Sequence, residues 1–193
     1  MSWEQVYQQW LNEENIPENL KNELKDLNTD PEKCEDAFYA PLEFGTAGMR
    51  GILGAGINRM NIFTVRQATE GLARFMDTQD PETKRRGVAI AYDSRHMSPE
   101  FAMEAAKTLA KHDIPSFVFE SLRPTPELSF AVRYFKAFAG IMITASHNPA
   151  AYNGYKVYGE DGGQMPPADA DALTKYVRSI ENPLKKIGRA SCR

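Results

Sequence analysis

Gly87-Val88-Ala89-Ile90-Ala91-Tyr92, closed by Asp93 and followed by Ser98-Pro99, is the stretch that decides the fold. A short apolar run without polar alternation reads as a strand covered on both faces. Ser98-Pro99 then supplies N-cap and first-turn residues for a helix that turns Phe101, Ala102, Ala105, Ala106 and Leu109 inward. The same pattern repeats downstream. Ser116–Glu120 is a second apolar strand, and Thr125-Pro126 opens a helix through Leu128, Ala131, Val132 and Phe135. Gly140–Thr144 forms a third strand and Gly154–Tyr158 a fourth.

Buried strands alternating with helices predict an α/β fold: a mixed, mostly parallel four-stranded sheet sandwiched between helices. The link between the third and fourth strands, about ten residues without a helix, is too short for a crossover, so that pairing should be antiparallel. Upstream, Gly48–Gly54 is glycine-rich and extended, and Thr64–Met76 reads as a helix through Val65, Ala68, Leu72 and Phe75. A last helix runs from Pro167 to Ile180 through Leu173, Tyr176 and Val177.

Residues 1–40 form a helical N-terminal extension. Trp3, Val6, Tyr7, Trp10 and Leu11 recur at helical spacing, with Ser2 and Gln5 as a capping box. A second helix starts near Pro17 and presents Leu20, Leu24 and Leu27 on one face. Residues 41–182 are the α/β domain. Residues 183–193 belong to neither unit and read as a cloning remnant or read-through.

Bulk properties narrow the function. A hydrophobic fraction of 42% and a charged fraction of 25% are those of a soluble globular chain. A net charge of −3 supplies no footprint for nucleic acid, and no basic run suits a membrane surface. No apolar stretch approaches the ~20 residues of a membrane span. The N-terminus is unlike a secretory signal, and Cys34 and Cys192 lie far apart without metal-ligand spacing. The expected setting is reducing and cytoplasmic.

In mixed and parallel sheets, ligands collect at the carboxyl ends of the strands. The loops after Tyr92, Glu120 and Thr144 meet there. Thr144-Ala145-Ser146-His147-Asn148-Pro149 is the strongest chemical signal, because Asn-Pro after a strand end sets Ser146 on a sharp, exposed turn. Serine alone is a weak nucleophile and needs a nearby base or a charge environment that favours its product. A phosphoserine carries roughly −1.5 to −2 charges near neutrality and would draw backbone N–H groups and basic side chains.

This hexapeptide, with Phe44-Gly45-Thr46-Ala47-Gly48-Met49-Arg50-Gly51, resembles the paired signatures of the α-D-phosphohexomutase superfamily. Asn58-Arg59-Met60-Asn61 and Thr64-Val65 are similar to the phosphoglucomutase and phosphopentomutase branch. The likeness runs over roughly residues 40 to 182, with separate motifs in the family's order.

The resemblance implies that Ser146 is the phosphoserine that donates a phosphoryl group and takes another back. Arg50 matches the arginine beside it, in a loop where Gly45, Thr46 and Gly48 approach the phosphate. Asp93-Ser94-Arg95 resembles the Asp-x-Arg loop that brings another arginine to the site, and Asn148 belongs to the serine loop. Lys156 matches a lysine taken as general acid/base, while His147 is an alternative proton relay. His96 and His112 have no motif support and read as surface residues.

By the same resemblance, Mg²⁺ is held by Ser146 through its phosphate and by an aspartate-rich loop in a later domain. Asp169-Ala170-Asp171 is not that loop: it opens a predicted helix, where acids meet the helix dipole favourably. Glucose 1,6-bisphosphate is the implied activator. The partners are a sugar phosphate and the remaining domains of the same enzyme.

The resemblance implies that the chain is the first domain of an isomerase that interconverts glucose 1-phosphate and glucose 6-phosphate, and the domain is expected to be inactive in isolation. A phosphopentomutase or a glucose-1,6-bisphosphate synthase is the alternative within the class, since sugar choice lies downstream. A non-catalytic phosphate-binding module would leave the Ser146 loop unexplained, and the chain lacks Gly-x-Gly-x-x-Gly and P-loop spacing. A serine hydrolase would need a Gly-x-Ser-x-Gly elbow, which is not present.

Overall fold

The structure, a computed structural model, describes residues 1–45, 48–180 and 183–184. Most of the expected tail, residues 185–193, therefore lies outside the described residues. Three helices lead: α1 (Trp3–Leu11), α2 (Glu18–Leu27) and α3 (Pro31–Phe38). Ser2 and Gln5 make the expected capping box on α1. The helix α3 is additional to those expected, although Asp30-Pro31 carries its start: the Asp30 side chain accepts from Lys33 N–H and Pro31 occupies the first turn. Tyr7, Trp10, Leu20, Leu24, Ala37 and Phe38 bury together. The Trp10 ring meets Phe38 and Phe63 edge-on, at 5.7 and 5.1 Å between centroids, which ties the extension to the domain that follows.

That domain continues with β1 (Gly48–Ile52), α4 (Ile62–Asp77), α5 (Pro81–Arg86), β2 (Val88–Tyr92), α6 (Ser98–Ala110) and β3 (Ser116–Val118). It closes with α7 (Thr125–Tyr134), β4 (Ala139–Ile143), β5 (Tyr152–Tyr158) and α8 (Pro167–Arg178). The strand order is β1-β5-β4-β2-β3. Strand β2 pairs in parallel with β3 and β4, and β5 pairs antiparallel with β4, as the short link predicted.

The sheet has five strands, not four, because the glycine-rich segment pairs antiparallel with β5 as β1. With that strand included, the parallel and antiparallel pairings are equal in number: β4, β2 and β3 form a parallel half, and β1 and β5 an antiparallel one. Gly-Met-Arg-Gly-Ile has neither an apolar run nor clean alternation, so pattern alone does not mark it as a strand.

Both faces of the sheet are covered. Val88, Ile90, Ile141, Ile143, Tyr155 and Val157 pack with residues of α4, α6 and α8. Ala89, Ala91, Met142 and Tyr158, on the opposite face, pack against Leu128, Ala131 and Val132 of α7. The alternation of partners along β2 is the physical content of its unbroken apolar run.

Three helix starts differ from expectation. The helix α7 begins at Thr125 itself, after Pro124, with no side-chain cap. The helix α6 begins at Ser98 itself, after Met97 in a left-handed conformation (φ 65°), and the Ser98 hydroxyl is used elsewhere. The helix α4 begins at Ile62, because Asn61 caps it by accepting from the N–H groups of Phe63 and Thr64.

His112 is not a free surface residue. It follows α6 and lies against α4, with Nδ1 2.7 Å from Asp77 and Nε2 3.0 Å from Glu70. Burial works against both carboxylates. Hydrogen bonds from His112 and Arg74 nevertheless hold Glu70 below the usual range, and those from Lys84 and His112 do the same for Asp77. A carboxyl pKa lowered by folding adds stability that is present above its unfolded value and is lost as pH falls through the folded one.

His112→Gln should therefore be less stable than the parent at neutral pH, with the gap shrinking through the acid range, as urea denaturation across pH would show. A second expectation concerns Gly154, where a Cβ would stand 2.6 Å from the Thr144 carbonyl oxygen and 3.0 Å from that of Met49. Both neighbours are backbone and cannot swing away. Gly154→Ala should cost about 1–3 kcal/mol in the same assay.

Candidate active site

The parallel pairing of β2 and β4 sets their carboxyl ends side by side, with Tyr92 opposite Ile143 and Asp93 N–H donating to the Ile143 carbonyl at 3.1 Å. The next residues are Asp93 on one strand and Thr144 on the other. The Thr144 hydroxyl donates to Asp93 Oδ2 at 2.6 Å and in turn accepts from Ser146 N–H at 3.0 Å. On the other side of Asp93, Oδ1 accepts from Arg95 N–H (3.0 Å) and from the Ser98 hydroxyl (3.1 Å). Ser98 accepts from Asn153 Nδ2 at 2.9 Å. The chain of bonds runs from Asn153 through Ser98, Asp93 and Thr144 to the backbone of Ser146.

Ser146 itself is exposed and left-handed, with φ 56°. A non-glycine residue in that region is uncommon and is held there by its surroundings. His147 follows it, exposed, with Nδ1 3.5 Å from Ser146 Oγ. Arg50, on β1, donates to Asn148 Oδ1 at 2.5 Å, which fastens the first strand to the serine loop.

Lys156, on β5, pairs with Gly48 and Met142 in the ladders to either side and is partly buried. Burial pushes its amine below the ordinary lysine range, and the nearby Arg50 guanidinium pushes the same way, with Asp93 opposing. Gly45 bridges back to Gly48, its N–H donating to the Gly48 carbonyl at 2.8 Å. Gly48, at φ 143°, lies so close to Tyr155 and Lys156 that a side chain there would strike backbone. Thr46 lies outside the described residues.

The site residues inferred from sequence thus gather at one end of the sheet: Arg50, Asp93, Arg95, Ser146, His147, Asn148 and Lys156. Arg95 is placed differently from a phosphate-facing arginine. Its Nη1 donates to the carbonyls of Pro149 and Tyr152, both at 2.9 Å, and its Nη2 to those of Ser146 (2.8 Å) and Asn148 (2.7 Å). Its Nε faces Asp93 Oδ2 at 3.5 Å.

Sequence reasoning gives Thr144, Ser98 and Asn153 no role at the site, and all three are buried polar residues. Asn153 is the most detectable of the three. A wholly buried amide inside a strand needs internal partners, and it finds His96 O, Ser98 Oγ and Gly154 N–H. Asp169 sits in the first turn of α8, the structural place expected for it.

Fold and site together define an α/β/α domain that presents a serine at the carboxyl ends of adjacent parallel strands, beside cationic side chains. A family model described as "Phosphoglucomutase/phosphomannomutase, alpha/beta/alpha domain I" matches residues 41–184. The chain belongs to the phosphoglucomutase/phosphomannomutase family. A phosphoglucomutase of Staphylococcus saprophyticus is 43% identical over 175 residues, covering 91% of this chain and 31% of that protein. One from Staphylococcus epidermidis is 46% identical over 157 residues, covering 81% of this chain and 28% of its own length.

Among solved structures, a putative phosphomannomutase from Thermus thermophilus superposes with a TM-score of 0.64 at 33% identity, over 72% of this chain and 30% of that one. The parafusin phosphoglucomutase of Paramecium, at 19% identity and a TM-score of 0.57, covers 73% of this chain and 26% of its own, and shares the fold. This chain therefore spans about a third or less of the relatives it matches.

The electrostatics can be checked directly. Replacing Arg50 by Ala removes a like charge from Lys156, so the lysine pKa should rise toward its ordinary value while burial keeps it from arriving there. A ¹³C NMR titration of the Lys156 side chain in both proteins measures it, and an unchanged or lower value would contradict the assigned coupling.

Proposed function

We propose that this chain is the phosphoserine-bearing first domain of a phosphoglucomutase-type enzyme, with Ser146 as the residue that carries the phosphoryl group. The observation that carries the reading is Ser146 itself: exposed, left-handed, fixed through Thr144 and Asp93, with His147 next to it, Arg50 bonded to Asn148 of the same loop, and Lys156 close enough to sense Arg50 and Asp93. Residues 41–182 form the catalytic domain and residues 1–40 an extension packed on it. The two staphylococcal relatives are phosphoglucomutases, which favours glucose phosphates over a pentose phosphate as substrate.

In this reading a hydroxyl oxygen of glucose 1-phosphate forms a bond to the phosphorus on Ser146, and the Ser146 Oγ–phosphorus bond breaks. The hydroxyl proton passes to a base, and Ser146 Oγ takes up a proton. The 1,6-bisphosphate product then turns over in the site and returns its other phosphoryl group to Ser146, leaving glucose 6-phosphate. Lys156 suits the proton transfers because burial and Arg50 both enlarge its neutral fraction. His147 is the second candidate, by its proximity to Ser146 Oγ. Arg50 supplies positive charge to the transferring group, the kind of stabilisation that dominates phosphoryl transfer.

Magnesium, which the family resemblance implies, is not provided for by the described residues of this chain. Asp93, the carboxylate of the loop cluster, is engaged by Thr144, Ser98 and Arg95. No group of three or more His, Cys, Asp or Glu among the described residues is placed to hold an ion. A phosphorylated Ser146 would offer an oxygen, and no step above is routed through the metal. No helix among the described residues is long and apolar enough to cross a membrane, and a cytoplasmic setting fits the buried free thiol of Cys34.

Incubating the complete enzyme with labelled glucose 1,6-bisphosphate and Mg²⁺, then mapping phosphopeptides, tests the proposal. Label on the Ser146 peptide that disappears in Ser146→Ala, together with loss of mutase turnover, is the expected result. An active enzyme with no phosphate on that peptide would mean another nucleophile. The chain of 193 residues by itself should show no turnover of glucose 1-phosphate.

A further inference from the structure

The family resemblance brings Arg95 to the site, and there its donors are already occupied. A guanidinium carries five N–H groups in a rigid fork. Four of those in Arg95 donate to the carbonyls of Ser146, Asn148, Pro149 and Tyr152, and the fifth, on Nε, faces Asp93. These carbonyls span the loop from the exposed serine to the first residue of β5. The Arg95 side chain is only 13% exposed, and its own backbone N–H donates to Asp93 Oδ1. Asp93 is fixed in turn by Thr144 and Ser98. The guanidinium therefore sits beneath the loop as a rigid fastener.

This has a geometric consequence for the peptide that follows the serine. The chain has no cis peptide bonds among the described residues, so the carbonyl of Ser146 and the N–H of His147 point in opposite directions across one planar unit. The carbonyl is directed at Arg95 Nη2 at 2.8 Å. The His147 N–H is therefore directed away from Arg95, and it makes no hydrogen bond among the described residues. It is a free backbone donor one residue from Ser146 Oγ. The N–H of Ser146, by contrast, is already given to Thr144.

We propose that Arg95 is a positioning residue. By collecting the loop carbonyls it fixes the left-handed turn at Ser146 and presents the His147 N–H to the phosphoryl group that Ser146 carries. Arg95 itself does not touch that group. The inference rests on the phosphoserine reading above and adds to it a backbone donor and the side chain that aims it. A preorganised N–H directed at developing negative charge acts in the transition state more than in the ground state. Loss of its alignment should therefore lower kcat and leave the affinity for sugar phosphate largely intact.

The test compares the complete enzyme with its Arg95→Ala and Arg95→Lys variants. Arg95→Ala should lose about 100-fold in kcat, the cost of a small misplacement of reacting groups. Its KM should stay within about threefold of the parent, because no ground-state contact to the substrate is removed. Added guanidinium chloride should restore part of the lost kcat at concentrations that do not unfold the protein, whereas methylammonium should not.

Arg95→Lys keeps the charge but cannot span four carbonyls with a planar fork, so it should resemble Arg95→Ala in kcat. If Arg95→Ala does not fold, Arg95→Lys decides the matter alone. A kcat near the parent's in either folded variant would overturn the proposal. So would a loss lying mainly in KM, which would place Arg95 on the substrate. Phosphopeptide mapping of the parent separates the two levels: no label on Ser146 brings down the phosphoserine reading and this inference with it. Label on Ser146 together with an active Arg95→Ala brings down this inference only.

Discussion

The parallel register of β2 and β4 is the constraint on which the remainder of the site depends. Tyr92 stands opposite Ile143, so the residues that follow, Asp93 and Thr144, emerge at the same height and meet at 2.6 Å. A slip of one residue would turn the apolar residues of either strand to the wrong face. Ala89 and Ala91 belong against α7, and Val88 and Ile90 against the helices of the other face. The packing that stabilises the sheet thus also determines where the serine loop begins. Core and site share one register.

From that meeting point the loop is organised by polar groups rather than by a helix or a hairpin turn. Asp93 accepts from a hydroxyl on each side and from the Arg95 backbone, and Arg95 gathers the loop carbonyls. Buried polar groups are costly unless they are satisfied. Among the described residues no buried side-chain nitrogen or oxygen lacks a partner. A network completed in this way can hold Ser146 at φ 56°, a conformation its own side chain does not favour. Asn153 links the network to β5, so the loop is anchored where it leaves one strand and where it enters the next.

The cationic side of the site arrives through the antiparallel half of the sheet. Strand β5 carries Lys156, and β1, paired with it, carries Arg50. Two like charges brought close on neighbouring strands would repel, and the lowered amine of Lys156 registers that repulsion together with burial. An anion seated between them would relieve it. The glycines of these strands permit the close approach: a Cβ on Gly48 would strike the backbone of β5, and one on Gly154 the backbone of both neighbouring strands. What reads in sequence as an extended glycine-rich stretch is, once paired, a sheet edge bearing an arginine.

Much is legible in the sequence because it is local. The apolar runs of β2 and β4, the helical periodicity of α1, α4 and α6, the capping box of Ser2 and Gln5, and the exposed turn at Ser146 depend on residues a few positions apart. The short link before β5 likewise dictates its antiparallel direction. The motif resemblance adds the roles expected of Ser146, Arg50 and Lys156. What depends on contact between distant residues is not readable in this way. The strand β1 exists as a strand through its pairing with residues about a hundred positions later, an arrangement with no signature in Gly-Met-Arg-Gly-Ile. His112 reads as a surface residue until the packing of α6 on α4 brings Glu70 and Asp77 to its ring. Arg95 reads as one more arginine brought to the site until the loop folds over it and its donors meet four carbonyls. The sequence by itself determined the strand and helix periodicity and the chemical types gathered at one end of the sheet, because these follow from short-range pattern. Only the tertiary structure decided which carbonyls, carboxylates and hydroxyls each polar group would meet, because hydrogen bonds are directional and their partners are separated in the chain by up to about a hundred residues.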